Sequence, residues 1–278
     1  MNIERVGDFT LQWGESLVWD DQRGRLYFVD TLGRTVNWLE DDGAELHTIV
    51  APQMPSGMVA TRDGRLVVTM DDGLYVVDVD SEAWVLLTSY PRELSGRCND
   101  MCADLDGNLI TGKLNLGPAE GSAWRYSPRD GWKLIDADIS NTNGPTVAVL
   151  DGQMTLIIGD SSKHYFRYDY DPATGAVGER SIFGDVTDLG PSADEPGIPD
   201  GATLDTDGGL WCALPRSSRL ARFTTAGFDR EVRLPFDHPT DVTFGGANLD
   251  RLYVVAIDDG LYVIDDVGRG RCEPRFGG

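Results

Sequence analysis

The sequence predicts an all-β fold, a six-bladed β-propeller with four-stranded antiparallel blades, on three observations. Apolar runs are short and bounded by Gly or Asp turn signals, which suits strands rather than helices. One such run recurs six times, at Arg25–Asp30, Arg65–Thr69, Asn108–Gly112, Thr155–Asp160, Gly209–Ala213 and Arg251–Val255. Its leucines, Leu26, Leu66, Leu109, Leu156, Leu210 and Leu252, lie 40 to 54 residues apart, which leaves room for four short strands per repeat. Finally, no segment sustains a helical period and no GxGxxG occurs, so a dinucleotide-binding α/β fold is set aside.

Each repeat has the parts of a meander. An upstream strand begins near Glu15, Gly57, Asp100, Gly144, Gly201 and Asp241, and runs toward turns such as Asp63–Gly64 and Asp106–Gly107. Downstream partners are Leu74–Asp78, Ala123–Tyr126, Tyr165–Asp169, Arg219–Phe223 and Leu261–Asp265. A unit of this size cannot cover both faces of its own sheet, whereas radial packing gives every sheet a neighbour and protects its edges. Six repeats in 278 residues take about 46 residues each, the size of a four-stranded blade. The chain, 1–278, is therefore expected to be one domain, and Ile3–Val6 is expected to close the ring beside the strands of Leu252 and Leu261. An open β-sandwich is the competing architecture.

Composition narrows the partners. Lys plus Arg number 24 against 46 Asp plus Glu, a formal charge of −22, which disfavours nucleic acid and anionic membrane surfaces. There is no run of 18 apolar residues, and the acidic start MNIERVGDFTLQWGE lacks a signal-peptide core, so no membrane and a cytoplasmic location are expected. Cys98, Cys102, Cys212 and Cys272 form no CxxC motif and are expected to be reduced.

The polar residues that precede the first strand of each repeat are the candidate site. Glu15, Asn99 with Asp100, Asn143, Asp200 and Asp241 share closely related phases, and in a radial fold equal phase means equal depth. Glu15, Asn143 and Asp200 would supply two carboxylates and an amide oxygen, a hard donor set suited to a divalent cation and better matched to calcium than to copper. The same residue types also make Asx turns, and spacing alone leaves both readings open. His47, His164 and His238 are too scattered for a zinc motif, and His238 before Pro239 reads as a turn residue. Arg97 and Asn99 suit a polyhydroxylated ligand, since a guanidinium orients oxygens and an amide both donates and accepts. A surface ion pair is the alternative for Arg97.

The chain resembles the SMP-30/gluconolactonase/regucalcin-like family over nearly its full length. The resemblance is carried by Gly14–Asp20 (GESLVWD) followed by Gly24–Asp30, by Arg97–Asp100 (RCND) with Asp106–Asn108, by Asn143–Pro145, and by Tyr168–Gly175. It continues in Pro199–Gly201 with Asp207–Trp211, and in Pro239–Thr240 with Phe244–Gly246. It implies a six-bladed propeller with one divalent cation in the channel, calcium first, with zinc, magnesium or manganese as other occupants. Glu15, Asn143 and Asp200 fall on the family's metal-ligand positions, and Arg97 and Asn99 on its substrate contacts. Lys113, in a segment Gly112–Asn115 that departs from the family pattern, either adds a positive contact for an acidic substrate or points away. Glu120 is offset from an acidic contact of some relatives and takes no role. The implied activity is metal-dependent opening of a sugar lactone to its hydroxy acid, with Asp200 as the candidate catalytic base and a small oxygen-rich lactone or sugar acid as partner. Organophosphate or other ester hydrolysis, non-catalytic calcium or sugar binding, and a protein-interaction propeller are the alternatives.

Overall fold

In the computed structural model, described for residues 1–40, 45–94, 96–114, 121–189 and 197–277, antiparallel strands follow one another around an axis. They are β1 (Ile3–Asp20), β2 (Arg25–Asp30), β3 (Thr35–Glu40), β4 (Leu46–Val50), β5 (Met58–Ala60), β6 (Leu66–Thr69), β7 (Gly73–Asp78) and β8 (Ala83–Ser89). Next come β9 (Cys98–Ala103), β10 (Leu109–Lys113), β11 (Ala123–Ser127), β12 (Gly131–Asp136), β13 (Asn143–Leu150), β14 (Gln153–Asp160), β15 (His164–Asp171), β16 (Ala176–Val177) and β17 (Ser181–Asp185). The last are β18 (Ala202–Leu204), β19 (Leu210–Leu214), β20 (Arg219–Thr224), β21 (Gly227–Arg233), β22 (Pro239–Gly245) and β23 (Arg251–Asp265). All six leucines of the repeat lie in strands, and the architecture is an all-β propeller.

The expectation of six separate four-stranded blades is corrected: the described strands form five sheets, of four to six strands. The cause is the length of β1 and β23, which pair with each other and fuse the first and last repeats into one sheet, β22-β23-β1-β2-β3-β4. Ring closure follows the expected route, with Ile3 opposite Ile264 and Val6 opposite Leu261. The other departure is the sheet of β13 to β17, where β16 and β17 both pair with β15. Around the axis, β1, β5, β9, β13, β18 and β22 each touch the next and the circle closes on β1.

Strands near the axis are buried on both faces and accordingly apolar, as in β6 (LVVT) and β19 (LWCAL), whereas the outer strand β8 is mostly exposed. Between sheets the contact is continuous hydrocarbon: Val18, Tyr27 and Val36 of the first sheet meet Met58, Leu66 and Val68 of the next. Apolar sheet faces that would otherwise meet water are covered in this way. Several conspicuous acids have a structural use. Asp104 accepts from the Asn108 amide N–H and the Tyr170 hydroxyl, and Asp205 from Gly209 N, Trp211 Nε1 and Arg222 Nε, closing the turns after the inner strands.

The C-terminal segment crosses the far end of the ring. Gly270 bridges Asp205 and Phe276 bridges Thr61, Phe276 is buried, and Arg275 donates to Asp20 at 2.6 Å. A cavity of about 190 Å³ lies above it, lined among others by Asp100, Gly144, Asp241, Arg271 and Glu273.

Candidate active site

Local irregularities in the inner strands aim the side chains. The β1/β2 register shifts between Glu15 and Val18, where Ser16 takes a left-handed φ of 54°. Comparable shifts fall at Thr111/Lys113 in the β9/β10 pair, at Asn143/Thr146 in β13/β14 and at Pro239/Asp241 in β22/β23. Such bulges bend a strand and redirect its side chains, and here they recur beside residues picked out by phase. Gly201 follows Asp200 where the strands nearly touch: a Cβ there would lie 1.9 Å from Asp241 Oδ1.

Four acids, Glu15, Asp100, Asp200 and Asp241, are buried at this level. Burial pushes every one of their pKa values up, and mutual repulsion adds to the rise: Asp100 acts on Glu15, Glu15 and Asp100 act on Asp200 and on Asp241. Asp100 is raised to about 6, with the Gly144 N–H and Arg97 opposing burial. Concentrating negative charge in a place of low dielectric is costly unless a cation compensates.

Each acid is also held. Trp13 Nε1 donates to Glu15 Oε1 at 2.7 Å, while Glu15 Oε2 is buried and has no partner. Gly144 N donates to Asp100 Oδ2 at 2.8 Å, and Leu17 N and Val242 N donate to Asp241. The backbone of Asp200 is fixed by Tyr165, whose hydroxyl donates to Asp200 O at 2.7 Å and accepts from Asp200 N at 3.1 Å. Asn143 donates from Nδ2 to Pro199 O at 2.7 Å and accepts at Oδ1 from Asn99 Nδ2, which also donates to Thr142 O. Asn99 thus spends its amide nitrogen on Asn143 and Thr142.

Arg97 is half-buried. Nε donates to Ser56 Oγ at 2.6 Å and Nη1 meets Met54 Sδ at 2.9 Å, and burial lowers its pKa against the fields of Glu15, Asp71 and Asp100. Among the described residues its nearest bonds are therefore to neutral groups, not to the surface acid that was its alternative partner. Lys113 is half-buried at the end of β10, its Cε 3.5 Å from where a Cβ on Gly96 would stand, beside the segment that carries Arg97. Asn115 and Glu120 lie outside the described residues. His164 stands apart, with Asp185 Oδ2 at 3.4 Å from Nε2, and the His238 carbonyl accepts from Ile257 N across the start of the β22/β23 pair, with a left-handed φ of 54° at His238.

The fold therefore gathers Glu15, Asn99, Asn143, Asp200 and Arg97 into one electrostatic and hydrogen-bonded unit, and adds Trp13, Ser56 and Tyr165, to which spacing gave no role. Asp100 and Asp241, noted only for their phase, join as acids that also secure neighbouring strands. Among the described residues no three His, Cys, Asp or Glu side chains form a ready chelate, so an ion here would draw on the Asn143 amide as well as on carboxylates. The orphaned Glu15 Oε2 and the all-oxygen donor set fit a hard divalent cation.

A propeller whose axial polar cluster is built from the starts of successive repeats defines the class. Residues 13–258 match the family described as SMP-30/Gluconolactonase/LRE-like region, and the chain belongs to that family. It is 30% identical over 258 residues to the pentonolactonase XacC of Haloferax volcanii, covering 91% of this chain and 84% of the relative. It is 28% identical to regucalcin of Xenopus laevis over 290 residues, covering 100% of this chain and 93% of the relative. Its fold superposes on a luciferin-regenerating enzyme with a TM-score of 0.90 at 24% identity, covering 100% of this chain and 99% of that one. Lactone hydrolysis is thus an activity named among its relatives.

Proposed function

We propose that this protein is a metal-dependent lactonase that opens a sugar lactone to its hydroxy acid, with Glu15, Asn143 and Asp200 holding one divalent cation, calcium first. The observation that carries the reading is the set of buried, mutually repelling acids with one unpartnered oxygen, Glu15 Oε2. The name of the haloarchaeal relative supports a lactone substrate, and five-carbon sugar lactones are the first to try. The reading takes the chain as one unit, 1–278, acting on a small oxygen-rich molecule, not nucleic acid or membrane. No helix among the described residues is long and apolar enough to cross a membrane, and the four free thiols suit a cytoplasmic setting.

When bound, the ion supplies polarisation of the lactone carbonyl and a lowered pKa for nearby water. The chain's residues do the rest. Arg97, steadied by Ser56, presents guanidinium N–H groups to the substrate's oxygens, and Asn99 Oδ1 accepts from a ring hydroxyl. Asp200 accepts the proton of the attacking water at its carboxylate. Water oxygen bonds to the carbonyl carbon, the ring C–O bond breaks, and the proton passes to the departing ring oxygen. Lys113, beside the Arg97 segment, adds a positive contact for the acid product.

The test is a pH-controlled panel of sugar lactones and one phosphotriester, corrected for spontaneous hydrolysis, on chelator-treated and calcium-restored protein. Lactone opening that needs the ion and falls about 100-fold or more in Asp200→Asn is expected. Full lactone turnover without divalent ions sinks the reading, as does ion binding with no turnover of any substrate.

A further inference from the structure

The site contains a contact that the donor set does not require. Trp13 and Glu15 are two residues apart on β1, so their side chains leave the same face of the strand. The indole N–H meets Glu15 Oε1 at 2.7 Å, leaving Oε2 buried and free. The Trp13 backbone is itself pinned: its N–H donates to Asp30 Oδ1 at 3.0 Å, its carbonyl accepts from Thr31 N at 2.9 Å, and it stands opposite Ile257 across the ring seam. A glutamate has three rotatable side-chain bonds, and only one of its oxygens is occupied by the protein.

We infer that Trp13 is a positioning residue for cation binding: its indole N–H takes one oxygen of Glu15 and presents the other, Oε2, to a divalent ion in a single orientation. The inference rests on the reading of Glu15 as a metal ligand. Partners that orient a ligand are worth roughly a 10- to 100-fold change in metal affinity. Trp13 is thus pinned from both sides, by Asp30 and Thr31 of the first repeat and by its pairing with Ile257 of the last.

The test titrates calcium chloride into chelator-stripped protein by calorimetry, comparing wild type with Trp13→Phe, which keeps an aromatic ring and loses the N–H. Wild type should bind one ion, and the variant should bind it about tenfold more weakly or worse, with a single cooperative melting transition retained in the metal-free state. A variant that binds as wild type does overturns the inference and leaves the metal site standing. Wild type that takes up no ion overturns both. A second measurement needs no variant: ¹⁵N-labelled wild type shows the indole N–H resonances of its seven tryptophans, and substoichiometric manganese should broaden one of them before the other six. Uniform broadening, or none, refutes the contact.

Discussion

Stripped of divalent ions, the protein should gain stability as the pH falls from about 8 to about 5. Asp100 sets the magnitude. Its carboxyl is raised from the ordinary 3.8 to about 6 by burial, a difference of about two units at about 1.4 kcal/mol each, or about 3 kcal/mol over the whole titration, of which about half falls between pH 8 and pH 5. Between those two values the folded chain holds more protons than the unfolded one. The contribution of Asp100 therefore declines as pH rises through this window and levels off above about pH 7. Glu15, Asp200 and Asp241 are raised as well and act in the same direction. Carboxylates drawn down by arginines, such as Asp80 and Asp205, give up their contribution only as pH falls below 3.8, outside the window. The assay is urea unfolding in chelator at stepped pH, repeated with Asp100→Asn, which should flatten the profile, and with calcium, which should reverse it. A midpoint that is flat or climbs with pH in the chelated wild type would show that burial does not raise these carboxyls in the folded state.

Two more outcomes follow from the packing. Gly201→Ala should cost about 3 kcal/mol, the upper end for overpacking, because the added carbon meets Asp241 and, through it, the Leu17 amide; thermal unfolding and calcium binding should fall together, and a neutral variant would mean the inner strands can part. Cys98 and Cys212 are buried with thiols pushed up to about 12, and Cys102 is raised by burial too, so an aromatic disulfide reagent should label only the exposed Cys272 in the native state, and rapid release of two or more equivalents would contradict the burial.

The strands were legible because their signal is local: a leucine followed by β-branched or aromatic residues between Gly and Asp turns needs no distant partner to be recognised. The site was legible for a different reason, since equal phase in a closed ring becomes equal depth, and Glu15, Asn99, Asn143 and Asp200 converge accordingly. Spacing could not divide the acids by use. Asp104 and Asp205 close turns, while Asp100 and Asp241 lie in the cluster and also hold amides of other inner strands. The amides that Asp100 and Asp241 hold belong to distant strands, at Gly144 and Leu17, rather than to turns of their own. The joining of the first and last repeats into one sheet was hidden because it depends on the lengths of β1 and β23. The C-terminal crossing carries no period at all, being fixed by a few contacts such as Arg275 with Asp20. Trp13 carries no signal in the repeat, because an indole two residues before Glu15 is equally at home in an ordinary strand.

The strand β1 has a double duty with a thermodynamic consequence. Its first half zips to β23 and its second half carries Glu15, while the Leu17 amide reaches across to Asp241 of the final repeat. The seam and the candidate donor Glu15 therefore share one strand, and a molecule with its seam undone lacks part of the cluster. Whatever ligand grips Glu15 together with Asn143 and Asp200 works as a latch, drawing the open form shut by mass action, so affinity for that ligand and resistance to unfolding at the termini should rise and fall as one quantity.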